Sequence, residues 1–498
     1  MRGASLLPVI AGLSYPCVDA LSLHKRDVPA VLDFPIERRE GAHPLQKRDS
    51  VEVSVKNMVS SYYLLNLTLG TPAQKFSLAL DTGSSDIWVN TANSTFCSAD
   101  GDPCNVYGVY NASASSTYDT VGTSINITYA GGTNAYGPYA TDKLTIGNAT
   151  IDKMQFAIAE SSTAAQGIVG IGYQISTYSA EWDNKEYTNL PQALVDSGAI
   201  KSAAYSVWLN GLEASTGSVL FGGVNKAQYL GELQTLPIVP VYGEYHSLAI
   251  ALTGVSVETD SDSNSYTQNL PLSVSLDTGS TFTMLPEALT DKIYKALGAT
   301  YDEKVGAAYI DCDIREKDYN VTYSFSGATV TVGMSQLILD ATETGFPKDT
   351  CVFGLVPSEP GVNLLGDTFL RSAYVVYDLA NNEISLANTN FNPGHDDILE
   401  IGTGTDSVPG ATLVPSAVSS ATGNGVATAT GAGGVQTITG AVTATGATSQ
   451  STGGSSGSGD GASTEATSTS SKGMAVLPTS NSMHLLSGLA GAGLLLAL

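Results

Sequence analysis

A short turn is written twice in this chain. Asp81-Thr-Gly-Ser-Ser85 returns 196 residues later as Asp277-Thr-Gly-Ser-Thr281, each copy entered from an apolar run, Leu78-Ala-Leu80 and Val274-Ser-Leu276. A lone Asp-Thr-Gly says little, because Asp and Gly dominate ordinary turns. Two copies in matching contexts say much more. Each also has a distant partner in which an apolar pair is followed by glycine: Gly167-Ile-Val-Gly-Ile-Gly172 for the first and Asn363-Leu-Leu-Gly-Asp-Thr-Phe369 for the second. The repeat predicts two similar halves, each setting one carboxylate at a strand-to-turn junction. Gly83 and Gly279, which lack a Cβ, are expected to let the loops approach until Asp81 and Asp277 face each other across a pseudo-twofold axis.

Two carboxylates about 3 Å apart do not both ionise readily, so such a pair keeps one proton over a wide acidic range. The ionised member then takes a proton from a water held between them while the protonated member polarises a scissile carbonyl. The product is a tetrahedral diol, with no covalent enzyme intermediate. The proton belongs to the coupled pair, and neither aspartate is assigned it. Ser/His and Cys/His chemistry is set aside. Of the five histidines only His246 lies well inside the strand-rich region, and no G-x-S-x-G or cysteine motif accompanies it.

Short apolar runs, glycines and β-branched residues are spread evenly, which predicts mostly sheet. From Val51 to about Asn392, runs such as Tyr63–Leu69, Phe76–Leu80 and Ala373–Tyr377 read as strands between Gly, Asn, Asp and Pro turns. Helices are expected at Leu190–Ser197 and at Pro286–Leu297, where proline opens an apolar helical pattern. With 22 Lys+Arg against 47 Asp+Glu, the formal charge of -25 argues against nucleic acid or an anionic membrane surface as a ligand. It suits an acidic medium, where protonation lowers self-repulsion. Five cysteines without close paired spacing give no metal site, and no cofactor is expected. Cys17 falls in the leader. The other four are expected to pair as Cys97–Cys104 and Cys312–Cys351, each closing a loop within one half.

The chain's ends differ from its middle. Residues 1–20 read as a secretory signal peptide: Met1-Arg2, an apolar stretch from Leu6 to Leu13, then small residues near Ala20. Residues 21–48 hold three dibasic pairs and few strand-like runs, and read as a propeptide cut after Arg48. The body divides near residue 235 into lobes 49–234 and 235–395. Residues 396–472 are rich in Thr, Ser, Gly and Ala and are expected to form an unfolded, O-glycosylated stalk. Residues 473–498 read as a GPI-anchor signal, the apolar end Leu485–Leu498 being short for a bilayer span. Six sequons, at Asn66, Asn93, Asn111, Asn126, Asn148 and Asn320, mark glycosylation sites, of which some are expected to be occupied.

With these residues in view the chain resembles the pepsin-like aspartic peptidases, and more nearly their fungal branch of candidapepsins and yapsins. The likeness runs from about Tyr62 to Ala387 and includes both Asp-Thr-Gly loops, both apolar-apolar-Gly partners and the closing Tyr374-Val-Val-Tyr-Asp-Leu-Ala-Asn-Asn-Glu-Ile-Ser-Leu-Ala387. It implies an all-β, bilobal fold with a central cleft, and an aspartic endopeptidase that binds polypeptides extended in the cleft as an added strand. Large apolar side chains are expected beside the scissile bond. Tyr129, in Ile127-Thr-Tyr-Ala-Gly-Gly-Thr133, matches the tyrosine of the flap hairpin, and Trp88 the tryptophan that donates to its hydroxyl. Ser84 and Ser280 match the hydroxyl residues on the outer catalytic oxygens, and Gly83 and Gly279 line the same site. Gly131 stands where many relatives carry a polar flap residue. The Cys97–Cys104 loop lacks the long insertion of some yapsins, so a preference for basic residues does not follow. The resemblance also implies inhibition by the chain's own propeptide, with acid weakening its ion pairs to the cleft. The expected particle is a monomer at the outer side of the plasma membrane or cell wall, lipid-anchored or shed. A pseudopeptidase and a wall-linked structural glycoprotein are the alternatives. The first is opposed by two intact turns, and the second accounts for location but not for the first 390 residues.

Overall fold

A computed structural model describes residues 29–40, 61–98, 101–129, 132–241, 243–340, 347–358 and 361–421. The leader (1–20), Lys47-Arg48, Gly131 and the anchor signal (473–498) lie outside the described residues.

The body is built almost wholly of strands, as the alternating patterns predict. Fifteen strands join in one long sheet that runs through both halves. At its middle, Ala204–Trp208 pairs with Ala373–Asp378, so a strand late in the chain lies against one from the first half. Three smaller sheets, of five, four and four strands, complete the second half. The dividing point near residue 235 falls inside the strand Tyr229–Pro237, which belongs to the long sheet. The expected helices form as Leu190–Asp196, with proline at its start, and Glu287–Leu297, entered from Pro286 and closed by Gly298 in the left-handed region at φ 78°.

The duplicated sequence produces duplicated topology. In the first half, Gln74–Asp81 runs parallel to Ile168–Gly170, which pairs antiparallel with Ile87–Asn90. In the second, Leu272–Leu276 runs parallel to Leu364–Leu365, which pairs antiparallel with Thr283–Leu285. Each apolar pair therefore threads between the strand that enters an Asp-Thr-Gly turn and the strand that leaves it. Ile168, Val169, Leu364 and Leu365 are buried there. A Cβ on Gly366 would stand 2.4 Å from the carbonyl oxygens of Ser280 and Phe282, so the crossing admits only glycine.

Two expectations at the ends of the body need correction. Residues 21–48 are not poor in strand: Leu32–Glu40 is a nine-residue strand held between Thr216–Phe221 and Ser61–Leu64. Leu32, Phe34 and Ile36 alternate into the core, a period of two that the dibasic pair Arg38-Arg39 obscures in the sequence. Nor does folded structure end at 395. Ile398–Glu400 pairs with Gly223–Asn225, and Ala411–Leu413 runs parallel to Leu233–Thr235. A Thr/Ser/Gly-rich composition hides three widely spaced anchors, Ile401, Val408 and Val414, each buried against the body. Where 396–421 meets the first strand, Glu400 accepts the backbone N–H of Ala30 at 3.1 Å and pairs with Lys201 at 2.7 Å.

Both predicted disulfides are present, Cys97–Cys104 and Cys312–Cys351.

Candidate active site

Asp81 ends the strand Gln74–Asp81, and Asp277 follows directly on Leu272–Leu276. Both carboxyls are buried, at 0% and 1% exposure. Their surroundings are near copies. Gly83 N–H donates to Oδ1 of Asp81 at 2.8 Å, and Gly279 N–H to Oδ1 of Asp277 at 2.8 Å. The Ser84 hydroxyl donates to Oδ2 of Asp81, and that of Ser280 to Oδ2 of Asp277 at 2.8 Å. The two carboxyls are close enough that the charge of Asp277 acts on Asp81. A Cβ on Gly279 would fall 2.6 Å from Oδ1 of Asp81 and 3.2 Å from Oδ1 of Asp277, which is why this turn requires glycine. Burial first, then the charge of Asp277, pushes the Asp81 carboxyl well above the usual range; the bonds from Ser84 and Gly83 oppose this.

The turns are locked by the residues between. Thr82 N–H donates to Oγ1 of Thr278 at 3.1 Å, and Thr278 N–H to Oγ1 of Thr82 at 3.0 Å. Each hydroxyl passes its own proton to the far half: Thr82 to the Leu276 carbonyl at 2.8 Å, Thr278 to that of Leu80 at 2.9 Å. Below them Tyr205 and Tyr377 stack with centroids 5.1 Å apart, and their hydroxyls donate to the carbonyls of Ile171 and Leu276. Sequence reading did not single out Thr82, Thr278, Tyr205 or Tyr377. The threonines were visible inside the repeated motif, but their crossing bonds depend on how the loops meet.

Tyr129 follows the strand Asp119–Thr128, which forms a hairpin with Asn134–Ile146. The Trp88 indole N–H donates to its hydroxyl at 3.0 Å, and both rings are buried in a cluster with Tyr62, Ala79, Tyr139 and Ile168. Beside Asp277 lies a cavity of about 30 Å³, lined in part by Thr82, Gly83, Asp277 and His246. It has room for a water. His246 reaches Glu244 through Nε2 at 3.1 Å.

A profile of the eukaryotic aspartyl protease family matches residues 62–389. The chain belongs to the eukaryotic aspartyl proteases. An aspartic-type endopeptidase, opsB, of Aspergillus oryzae is 48% identical over 85% of this chain and 90% of its own length. Aspartic proteinase yapsin-3 of Saccharomyces cerevisiae is 35% identical over 72% and 71%. Among solved structures, the aspartic proteinase from Irpex lacteus superposes with a TM-score of 0.56 at 22% identity, covering 72% of this chain and 98% of that one, a likeness of fold. This aspartyl protease is thus an aspartic endopeptidase of pepsin-like architecture.

Proposed function

We propose that the enzyme cleaves extended polypeptides in acid by a two-aspartate, activated-water mechanism, outside the cell that makes it. The observation that carries this reading is the pair of buried carboxyls, one from each half, which border the same glycine, Gly279, and are each fenced by a serine hydroxyl and a glycine N–H. One proton shared by Asp81 and Asp277 leaves a base for the water and an acid for the scissile carbonyl. Tyr129, steadied by Trp88, closes over the substrate. Digestion of a mixed peptide library at pH 3 to 6 tests this. Asp81→Asn and Asp277→Asn should each lose at least about 10³-fold in kcat/KM, and a statine-type inhibitor should block the wild type. Full cleavage by either variant would end the proposal.

Export is supported by the sequons: Asn66, Asn93, Asn111, Asn126 and Asn148 are exposed, and Asn320 is half-buried. We assign the enzyme a leader, occupied N-glycans, a stalk beginning beyond the folded segment, and a GPI anchor that leaves a monomer at the cell surface or wall. Glycosidase mass shifts and release by phosphatidylinositol-specific phospholipase test these assignments. The propeptide is proposed to block the cleft at neutral pH and to leave in acid. A purified proenzyme that stays inactive in acid until another protease cuts after Arg48 would refute self-activation.

A further inference from the structure

Five residues beyond Asp81 lies a buried carboxyl that the chemistry above does not use. Asp86 is 1% exposed. The hydroxyls of Tyr139 and Tyr187 both donate to its Oδ1 at 2.6 Å, and the Tyr178 N–H to its Oδ2 at 2.7 Å. These donors belong to different elements. Tyr139 is on the second strand of the flap hairpin, Tyr178 opens the short helix Tyr178–Asp183, and Tyr187 follows that helix. The helix in turn packs on the hairpin's first strand, Asp119–Thr128. Asp86 is therefore a tie between the first Asp-Thr-Gly loop, the flap and the helix.

One helical turn from Tyr178 is Glu181. Its Oε1 is buried and accepts no hydrogen bond. Burial, then the charge of Asp86, pushes the Glu181 carboxyl up to about 8, and burial raises Asp86 as well. The influence reaches the flap, since the charges of Asp81 and Asp86 both act on the Tyr129 hydroxyl. The other charged groups lie apart: Asp183, Lys185 and Glu186 are exposed, the one charge on the first hairpin strand, Asp119, is at the end away from Tyr129, and on the second strand Lys143 and the buried Asp142, which accepts from Tyr110 and Thr117, stand at that same far end.

We propose that Asp86 and Glu181 form a second carboxyl pair, distinct from the Asp81–Asp277 pair, that positions the flap hairpin while Glu181 carries a proton. With Glu181 neutral, Asp86 keeps its three donors and helix and hairpin stay joined. With both ionised, two buried negative charges oppose each other across that joint. A carboxyl raised in the fold is held neutral there, so its contribution is complete below the ordinary carboxylate range and is lost as pH rises toward about 8.

The functional consequence rests on the reading of Tyr129 as the flap residue, but the structural test needs no turnover. Backbone hydrogen exchange of residues 119–146 would be compared in the full-length protein at pH 4.5 and pH 8.5. At pH 8.5 the hairpin should exchange at least about threefold faster in the wild type than in Glu181→Gln; at pH 4.5 the two should match. Asp86→Asn removes the other charge of the pair together with the acceptor of the Tyr178 N–H, so its hairpin should exchange faster than the wild type at pH 4.5, but its loss of protection between pH 4.5 and 8.5, taken relative to the unprotected rate at each pH, should be smaller than the wild type's, which keeps the test open should Glu181→Gln misfold. Equal exchange in wild type and Glu181→Gln at pH 8.5 would overturn the proposal. So would a difference of the same size at both pH values, because a merely structural residue would give that. If Asp81→Asn retained full proteolysis while the exchange result held, the mechanism would fail and this pair would stand.

Discussion

The serine beside Asp81 helps set where that carboxyl titrates. Ser84 lowers the Asp81 carboxyl against the burial and charge that raise it, because its hydroxyl bonds the ionised form more strongly than the neutral one. Ser84→Ala should therefore raise that carboxyl further and move the alkaline limb of the kcat/KM profile upward, measurable on a single chromogenic peptide. The threonines act on assembly. Thr278→Ala leaves the buried Thr82 N–H without its acceptor, a loss of about 1–3 kcal/mol that should appear as a lower Tm, while Thr278→Ser keeps the bond and most of the stability. Asp81, Asp277 and their glycines were legible because a repeated motif announces itself. Asp86 was not. It stands beside the motif as one more acidic residue in an acidic chain, and only the folded path brings Tyr139, Tyr178 and Tyr187 to it.

At the level of elements, the strands and both helices followed from periodicity, whereas the edges of the body did not. A strand of nine residues with charges on its outer face resembles a basic arm, and a Ser/Thr/Gly-rich run with one apolar anchor every six or seven residues resembles a tether. Ile401, Val408 and Val414 show that sparse anchors suffice when neighbouring strands offer unpaired backbone. Truncation after residue 395 should lower Tm and the yield of folded protein. Truncation after 421 should leave peptide-cleaving activity within about twofold of the full chain, since it removes none of these anchors. The disulfides can be ranked in the same way. Cys312–Cys351 closes a separation of 39 residues and Cys97–Cys104 one of 7, so in the chain-entropy view losing the first costs about 4 kcal/mol and the second about 2. Paired Cys→Ser variants compared by thermal unfolding test that order.

Over the whole molecule the buried carboxyls lean one way. Among the described residues Asp33, Asp81, Asp86, Glu181 and Glu383 are raised, each chiefly by burial, and only Asp142 is lowered. Raised carboxyls favour the fold while they are neutral, so stability should be greatest in acid and decline as pH climbs from about 5 to 8. Scanning fluorimetry across that range would show it, and a Tm that rises toward neutrality would contradict it. Glu181→Gln should remove part of the decline.

The crossed threonine bonds carry a consequence for descent. Each turn is finished by an atom from the opposite half, so positions 82 and 278 are inherited in effect as one character. A lineage that drops the hydroxyl at either position feels the fault on the other side of the molecule, whereas an exchange of threonine for serine leaves the far half its acceptor.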